Sequence, residues 1–203
     1  MATPQQAPKP SFQPERWIDA GFARLGADGL DAVRVEVIAR DLGVSKGSFY
    51  WHFRDREALL DAMLARWEKD ETEWLRHSTV ERESAPARWA RFVRRCTDSE
   101  RTPIEAAIRA WARRDSRVAA VVSVVETETT TFIADVLREI GFTHSAADSW
   151  SALALLVYLG WLDRATRDAE FARSDRSLGE FLSELILAAS ARSSSSNLGS
   201  IIE

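Results

Sequence analysis

The chain has 203 residues, 45% of them hydrophobic, which suits one large domain or a small domain followed by a larger one. With 27 basic against 31 acidic side chains the net charge is −4, which excludes a polycation that binds nucleic acid or an anionic membrane through bulk charge. The single cysteine, Cys96, excludes an intrachain disulfide framework and suits a reducing cytosol, and no apolar run reaches the roughly 18 residues that cross a bilayer.

The opening MATPQQAPKPSFQP lacks the basic-then-apolar order of a signal peptide. Its proline and glutamine content predicts a disordered arm over 1–13, with Lys9 its only charge. Pro14 suits a helix start, and Ile18, Phe22 and Leu25 predict one apolar face of a helix over about 15–25, broken by Gly26 and Gly29. Val35, Ile38, Ala39 and Leu42 fall at i, i+3, i+4 and i+7, one face of a second helix. Gly43 follows where a left-handed residue usually ends such a helix. Ser45 then stands as the N-cap of a short third helix over 46–53, with Phe49 and Phe53 on its inner side. The outer side is left with Lys46, Ser48, Trp51 and His52, with Tyr50 at its edge. A helix this short, anchored by one inner row and carrying polar and aromatic residues outside, is presented rather than buried. That is the layout of a helix-turn-helix reader of DNA, whose second helix enters the major groove. Asp55 caps a fourth helix beginning at Arg56, whose stripe of Leu59, Leu60, Met63, Trp67 and Trp74 continues to about Arg76.

The run IARDLGVSKGSFYWHFRDREALL resembles the DNA-binding signature of the TetR family of bacterial transcriptional regulators. The resemblance rests on Ile38-Ala39, Gly43-Val44-Ser45, Lys46-Gly47-Ser48-Phe49-Tyr50, His52-Phe53, Arg56 and Ala58-Leu59, and with the preceding helix it covers about a third of the chain. It implies an all-α fold. A helix-turn-helix domain over 14–57 is linked by a helix over 55–76 to a helical effector-binding and dimerisation domain over 58–191, with a flexible tail over 192–203. It also implies DNA contacts from Arg34, Ser45, Lys46, Gly47, Ser48, Tyr50, Trp51, His52 and Arg56. Tyr50, His52 and Arg56 match the family's phosphate contacts, and Trp51 occupies a variable, base-facing position. Lys46 can reach phosphate or guanine, and the Trp51 edge a thymine methyl. Gly47 lets the helix come close to DNA. Within 45–56 the charges are Lys46, Arg54 and Arg56 against Asp55, a local patch suited to specific phosphate contacts. The alternative for Trp51 or Tyr50 is a place in the small core. One departure stands out: the family usually caps its second helix with Thr, and Arg34 stands there instead. Arginine accepts no amide bond, so this residue either points to solvent or reaches a phosphate. The N-terminal arm is either an unstructured terminus or a minor-groove contact.

Beyond Pro86 the chain reads as helix almost throughout. Trp89, Phe92, Val93 and Cys96 mark one helix. Pro103, as the first helical residue, opens another with Ile104, Ala107, Ile108 and Trp111 inward. A long apolar helix over 117–140 ends at Gly141 and contains Thr127, Thr129, Thr130 and Thr131, poor formers of a helix interior. Helices over 145–164 and about 177–189 are apolar on several faces and so require several covered faces. Two such helices at the chain end predict a four-helix interface between two subunits, with Trp150, Leu153, Val157, Trp161, Phe181, Leu182 and Leu185 as candidates. An aromatic effector cavity is expected from Trp67, Trp89, Phe92, Cys96, Trp111 and Phe132, with Glu126 and Thr129 as polar handles; ordinary core is the alternative for each. No Gly-rich phosphate loop, GxSxG, HExxH or CxxC occurs, and His52, His77 and His144 have no ligand spacing. No cofactor or metal is expected. The reading is a cytoplasmic homodimer that binds a palindromic operator in double-stranded DNA and leaves it when a small, largely apolar ligand binds. A constitutive DNA-binding dimer and, further off, a helical enzyme are the alternatives.

Overall fold

A computed structural model describes residues 13–80 and 83–172, with residues 178, 180 and 182–184. Every element among the described residues is helical: α1 (Pro14–Asp28), a 3₁₀ turn (Leu30–Ala32), α2 (Val35–Asp41), α3 (Lys46–Tyr50), α4 (Arg56–Val80), α5 (Ala85–Cys96), α6 (Arg101–Ala112), α7 (Ser116–Ile140), α8 (His144–Arg167) and α9 (Ala169–Ala172). The chain divides into two compact units, Met1–Ala65 and Arg66–Glu203.

In the first unit, helix ends follow from local chemistry. Pro14 takes the first turn of α1, and Gly29, at φ +81°, closes it by donating to the Leu25 carbonyl at 3.0 Å. Helix α2 ends in a complete Schellman motif. Gly43, at φ +67°, donates to the Arg40 carbonyl and Val44 to the Ala39 carbonyl, at 3.1 and 2.9 Å. Asp55 caps α4 by accepting from the Ala58 amide at 2.8 Å, and that bond holds its carboxyl below the usual range. Trp17, Leu25, Val33, Ile38, Phe49, Leu59, Leu60 and Met63 form the fully buried core. A methyl at Gly21 would stand 2.6 Å from the Met63 sulfur, so glycine there makes room for α4's side chain. The buried row of α1 is Trp17, Gly21 and Leu25, whereas Ile18 and Phe22 are only half-buried. Trp17 takes the inward place by meeting Phe49 edge-on at 5.2 Å.

In the second unit α7 and α8 form the main contact, and α5 and α6 lie against α7. Helix α6 begins two residues before Pro103. Asp98 carries its start, accepting from the Glu100 amide through its side chain at 2.8 Å and from the Arg101 amide through its carbonyl at 3.2 Å. Pro103 still falls in the first turn, where its missing N–H costs nothing. The threonines of α7 do not break it. Thr127, Thr129, Thr130 and Thr131 each donate to the carbonyl four residues back, at 2.8–3.1 Å. Gly141, at φ +110°, ends the helix. Helix α8 buries its small residues, Ala147, Ser151, Ala154 and Ala165 with Leu162, and leaves Leu153 and Leu156 exposed. Phe181, Leu185, the arm over 1–12 and the tail over 192–203 lie outside the described residues.

Candidate functional site

The first candidate surface is the outer side of α2 and α3. Phe49 and Phe53 are buried, with rings 5.5 Å apart, and they fix the short helix from within. Tyr50 and Trp51, next to that anchor, are 60% and 87% exposed, which removes a core role for either. Helix α3 ends at Tyr50, and Trp51 and His52 form a turn, so the third helix is shorter than its apolar spacing predicts. His52 and Ser48 are half-buried, and Lys46 and Arg34 are exposed. Arg34 sits at the N-cap of α2 and makes no capping bond, as expected of a residue without an acceptor. Ser45 occupies the N-cap of α3 with extended backbone, yet its hydroxyl caps nothing; the turn closes through the Ser48 amide and the Ser45 carbonyl, at 3.0 Å. A Cβ at Gly47 would meet only the Ser45 hydroxyl, at 3.6 Å. No crowding within the protein therefore requires glycine there.

Two basic residues are already engaged. Lys46 pairs with Glu36 at 2.7 Å on the open surface, and the pair holds the Glu36 carboxyl below its usual range. Arg56 turns inward. Its guanidinium donates to the carbonyls of Val33 and Leu30, at 2.6 and 2.8 Å, and pairs with Glu57. It thus ties the 3₁₀ turn and the segment before α2 to α4.

The second candidate is a cavity of about 50 Å³ in the C-terminal unit, lined from α4, α5, α6, α7, α8 and Leu182. Of the residues expected around it, Phe92, Cys96 and Thr129 line it. The others do not. Trp67 and Trp111 are core, Trp89 is buried and donates to the Ser183 hydroxyl at 3.3 Å, and Phe132 stands behind Phe92 and Trp74 in an aromatic cluster. Glu126 lies 3.7 Å from Arg109, outside the lining. Of the expected dimer residues, Leu153 is exposed. Leu182 is buried in its own subunit's core, and Trp150, Val157 and Trp161 pack half-buried against that core.

One end of the cavity carries charge that the apolar pattern concealed. Glu71, Arg95, Arg101, Glu105, Arg109 and Tyr158 line it. Arg101 donates to Glu71 and, at 3.3 Å, to Glu105; Arg95 donates to Glu71 at 3.0 Å and Arg109 to Glu105 at 2.5 Å. The Trp67 indole completes Glu105 with a bond of 2.8 Å. Burial, then the Glu105 charge, push the Glu71 carboxyl above its usual range. Burial likewise raises the Tyr158 phenol and pushes the Cys96 thiol up to about 12. The signal for this network was present in α6. Arg101, Glu105 and Arg109 stand four apart, and Glu105 shares a face with Ile108. Among the described residues no group of three or more His, Cys, Asp or Glu side chains could hold a metal ion.

Residues 18–63 match the family model described as bacterial regulatory proteins, tetR family. This N-terminal segment is similar to the DNA-binding segment of that family. Over 52 residues it is 41% identical to the class A tetracycline repressor protein of transposon 1721 from Escherichia coli, a match covering 26% of this chain and spanning 24% of that repressor's length. The fold extends further than the sequence match. A transcriptional regulator from Rhodococcus sp. Rha1 superposes with TM-score 0.70 at 23% identity, over 86% of this chain and 94% of that one. A Saccharomonospora viridis structure in complex with choline gives TM-score 0.73 at 16% identity, over 85% of this chain and 94% of that one. These similar proteins are a repressor and two transcriptional regulators.

Proposed function

We propose that this chain is a homodimeric, sequence-specific regulator of the TetR family that represses transcription from a palindromic operator and is released by a small molecule bound in the C-terminal cavity. The carrying observation is the pair Tyr50 and Trp51, both mostly exposed beside a fully buried Phe49. Large aromatic side chains presented to solvent beside a buried anchor suit a base-reading surface. Arg34, Ser45, Lys46, Ser48 and His52 surround them, and the bare Gly47 allows close approach. Exposed Leu153 and Leu156 on α8, the latter 65% accessible, supply an apolar face for a second copy. Two readers related by the dimer axis would enter successive major grooves. The operator would then be an inverted repeat, with half-sites about one helical turn or a multiple apart. A ligand that binds the DNA-incompetent arrangement better by about 1–3 kcal/mol is sufficient for induction. The single high-pKa thiol suits a reducing cytoplasm, and among the described residues no helix is long and apolar enough to cross a membrane.

Selection of bound sequences from random duplex DNA at moderate salt tests the reading. An inverted repeat is expected, with binding weakened about tenfold or more by Trp51→Ala, which the exposure of Trp51 leaves free of folding consequences. A folded protein that enriches no sequence, or enriches one that Trp51→Ala binds equally well, refutes the interface.

A further inference from the structure

The walls of the cavity are apolar over much of their extent, and its charged end shows which head group it accepts. A cationic head is recognised by carboxylates and by the faces of aromatic rings. Both are already occupied here by the protein's own cations. Glu71 receives Arg95 and Arg101, and Glu105 receives Arg101 and Arg109. The Arg95 guanidinium lies over Trp74 at 4.7 Å and that of Arg109 over Tyr158 at 5.8 Å. Donors, by contrast, are in surplus. The Nε groups of Arg95 and Arg109 are buried without a hydrogen-bond acceptor, and Glu126 stands 3.7 Å from the latter, beyond hydrogen-bonding reach. Three guanidinium groups line the cavity against two lining carboxylates, and Glu126 pairs with Arg109 only from outside the lining. The missing component is an acceptor.

Resting on the effector reading above, we propose that the cavity takes a small monoanionic amphiphile, a carboxylate on a short apolar tail, with its head on Arg95 and Arg109 and its tail against Phe92, Val125 and Ile133. A dianion would meet Glu71 and Glu105 at close range, which restricts the head to a single charge. The present volume of about 50 Å³ restricts the tail to a short chain unless the walls move. Glu71 provides the compensation. It faces Arg95 and Cys96 from α5, Arg101 and Glu105 from α6 and Tyr158 from α8, and burial with the Glu105 charge already favours its neutral form. A proton taken up by Glu71 as the anion enters leaves the charge of the network unchanged.

The test titrates straight-chain carboxylates from acetate to octanoate into the full-length protein, followed by the fluorescence of the cavity tryptophan, Trp74. Matched n-alkylamines and n-alkanols are the controls. Saturable binding of carboxylates alone is expected, tightening as pH falls towards 5 and weakened at least tenfold in Arg95→Gln and in Arg109→Gln. Glu71→Gln keeps the neutral form permanently, retains an acceptor for both arginines, and should bind the carboxylate more tightly with its pH dependence lost. This variant also keeps the test decisive if Arg109→Gln fails to fold. Preferential binding of amines or alcohols, or no binding by any carboxylate, overturns the anionic head. Amine or alcohol binding that displaces operator DNA would still leave the effector cavity standing. No binding in any series, with operator affinity unaffected throughout, removes both.

Discussion

The two compact units place their charges under opposite conditions. In the N-terminal unit Lys46–Glu36 and Arg54–Asp55 are ion pairs with side chains about half or more exposed. In the C-terminal unit Glu105 is 6% exposed and receives two arginines and an indole. An exposed pair contributes about 0–1 kcal/mol, whereas removing one member of a buried network costs about 3–5 kcal/mol. On the proposed function the N-terminal surface exchanges its partner for a phosphate, and pairs that are cheap to break suit that exchange. A cavity wall that must hold its shape keeps its pairs buried and shared.

The sharpest way to break this contrast is to delete a carboxylate on each side. Glu105→Ala leaves Arg109 and the Trp67 indole without their hydrogen-bond acceptor and Arg101 with Glu71 alone, and should destabilise the protein by about 3–5 kcal/mol in urea unfolding. A loss below about 1 kcal/mol would show that the network is wetter than its burial indicates. Arg56→Met tests an arginine of the N-terminal unit whose guanidinium is engaged within the fold. Loss of its bonds to the Val33 and Leu30 carbonyls should cost about 2 kcal/mol by the same measurement. A change confined to operator affinity would favour the phosphate-contact role instead.

Titration sharpens the comparison further. The Glu71 carboxyl is raised in the folded protein by burial and by Glu105. Between its unfolded and folded pKa the native state holds more protons than the unfolded one, so its contribution is complete below the unfolded value and is lost as pH rises. Wild type minus Glu71→Gln should show stability falling from about pH 4.5 upward. A difference that rises with pH would mean that the arginines dominate Glu71. Glu36 and Asp55 in the other unit are shifted down and give the opposite slope, losing stability as pH falls through the acid range. The smallest effect is expected from Glu36→Gln. Stability should stay within about 0.5 kcal/mol, while Lys46, released from its partner at 2.7 Å, binds DNA more tightly and with a steeper salt dependence. Unchanged DNA affinity would remove Lys46 from the contact surface.

The helix-turn-helix was legible because its signals are local. Gly43, the Phe49–Phe53 spacing and the Asp55 cap each act within a few residues, and their identities specify the geometry directly. The inward bonds of Arg56 were not legible, because its partners, Val33 and Leu30, are main-chain carbonyls more than twenty residues away, and carbonyls leave no trace in side-chain chemistry. The cavity was half legible. Phe92 and Cys96 follow from apolar periodicity and Thr129 was expected as a polar handle, but periodicity cannot separate a wall from the core behind it, so Trp67, Trp89, Trp111 and Phe132 were placed one layer too far in. Its charged end was concealed by a pattern that usually means solvent. Arg101, Glu105 and Arg109 at four-residue steps look like a surface ladder. Only the burial of Glu105 beside Ile108 distinguishes the two, and that depends on what covers α6.

Cys96 has a practical consequence. With its thiol pushed up to about 12 by burial, the chain's only cysteine stays protonated near neutral pH and is a slow target for maleimide chemistry. The wild-type chain therefore behaves as a cysteine-free background. A single cysteine introduced at an exposed position, such as that of Leu156 or Trp51, would accept a spin label or fluorophore there alone. Distances between two identical labels in an assembled dimer could then be read without first removing the native thiol.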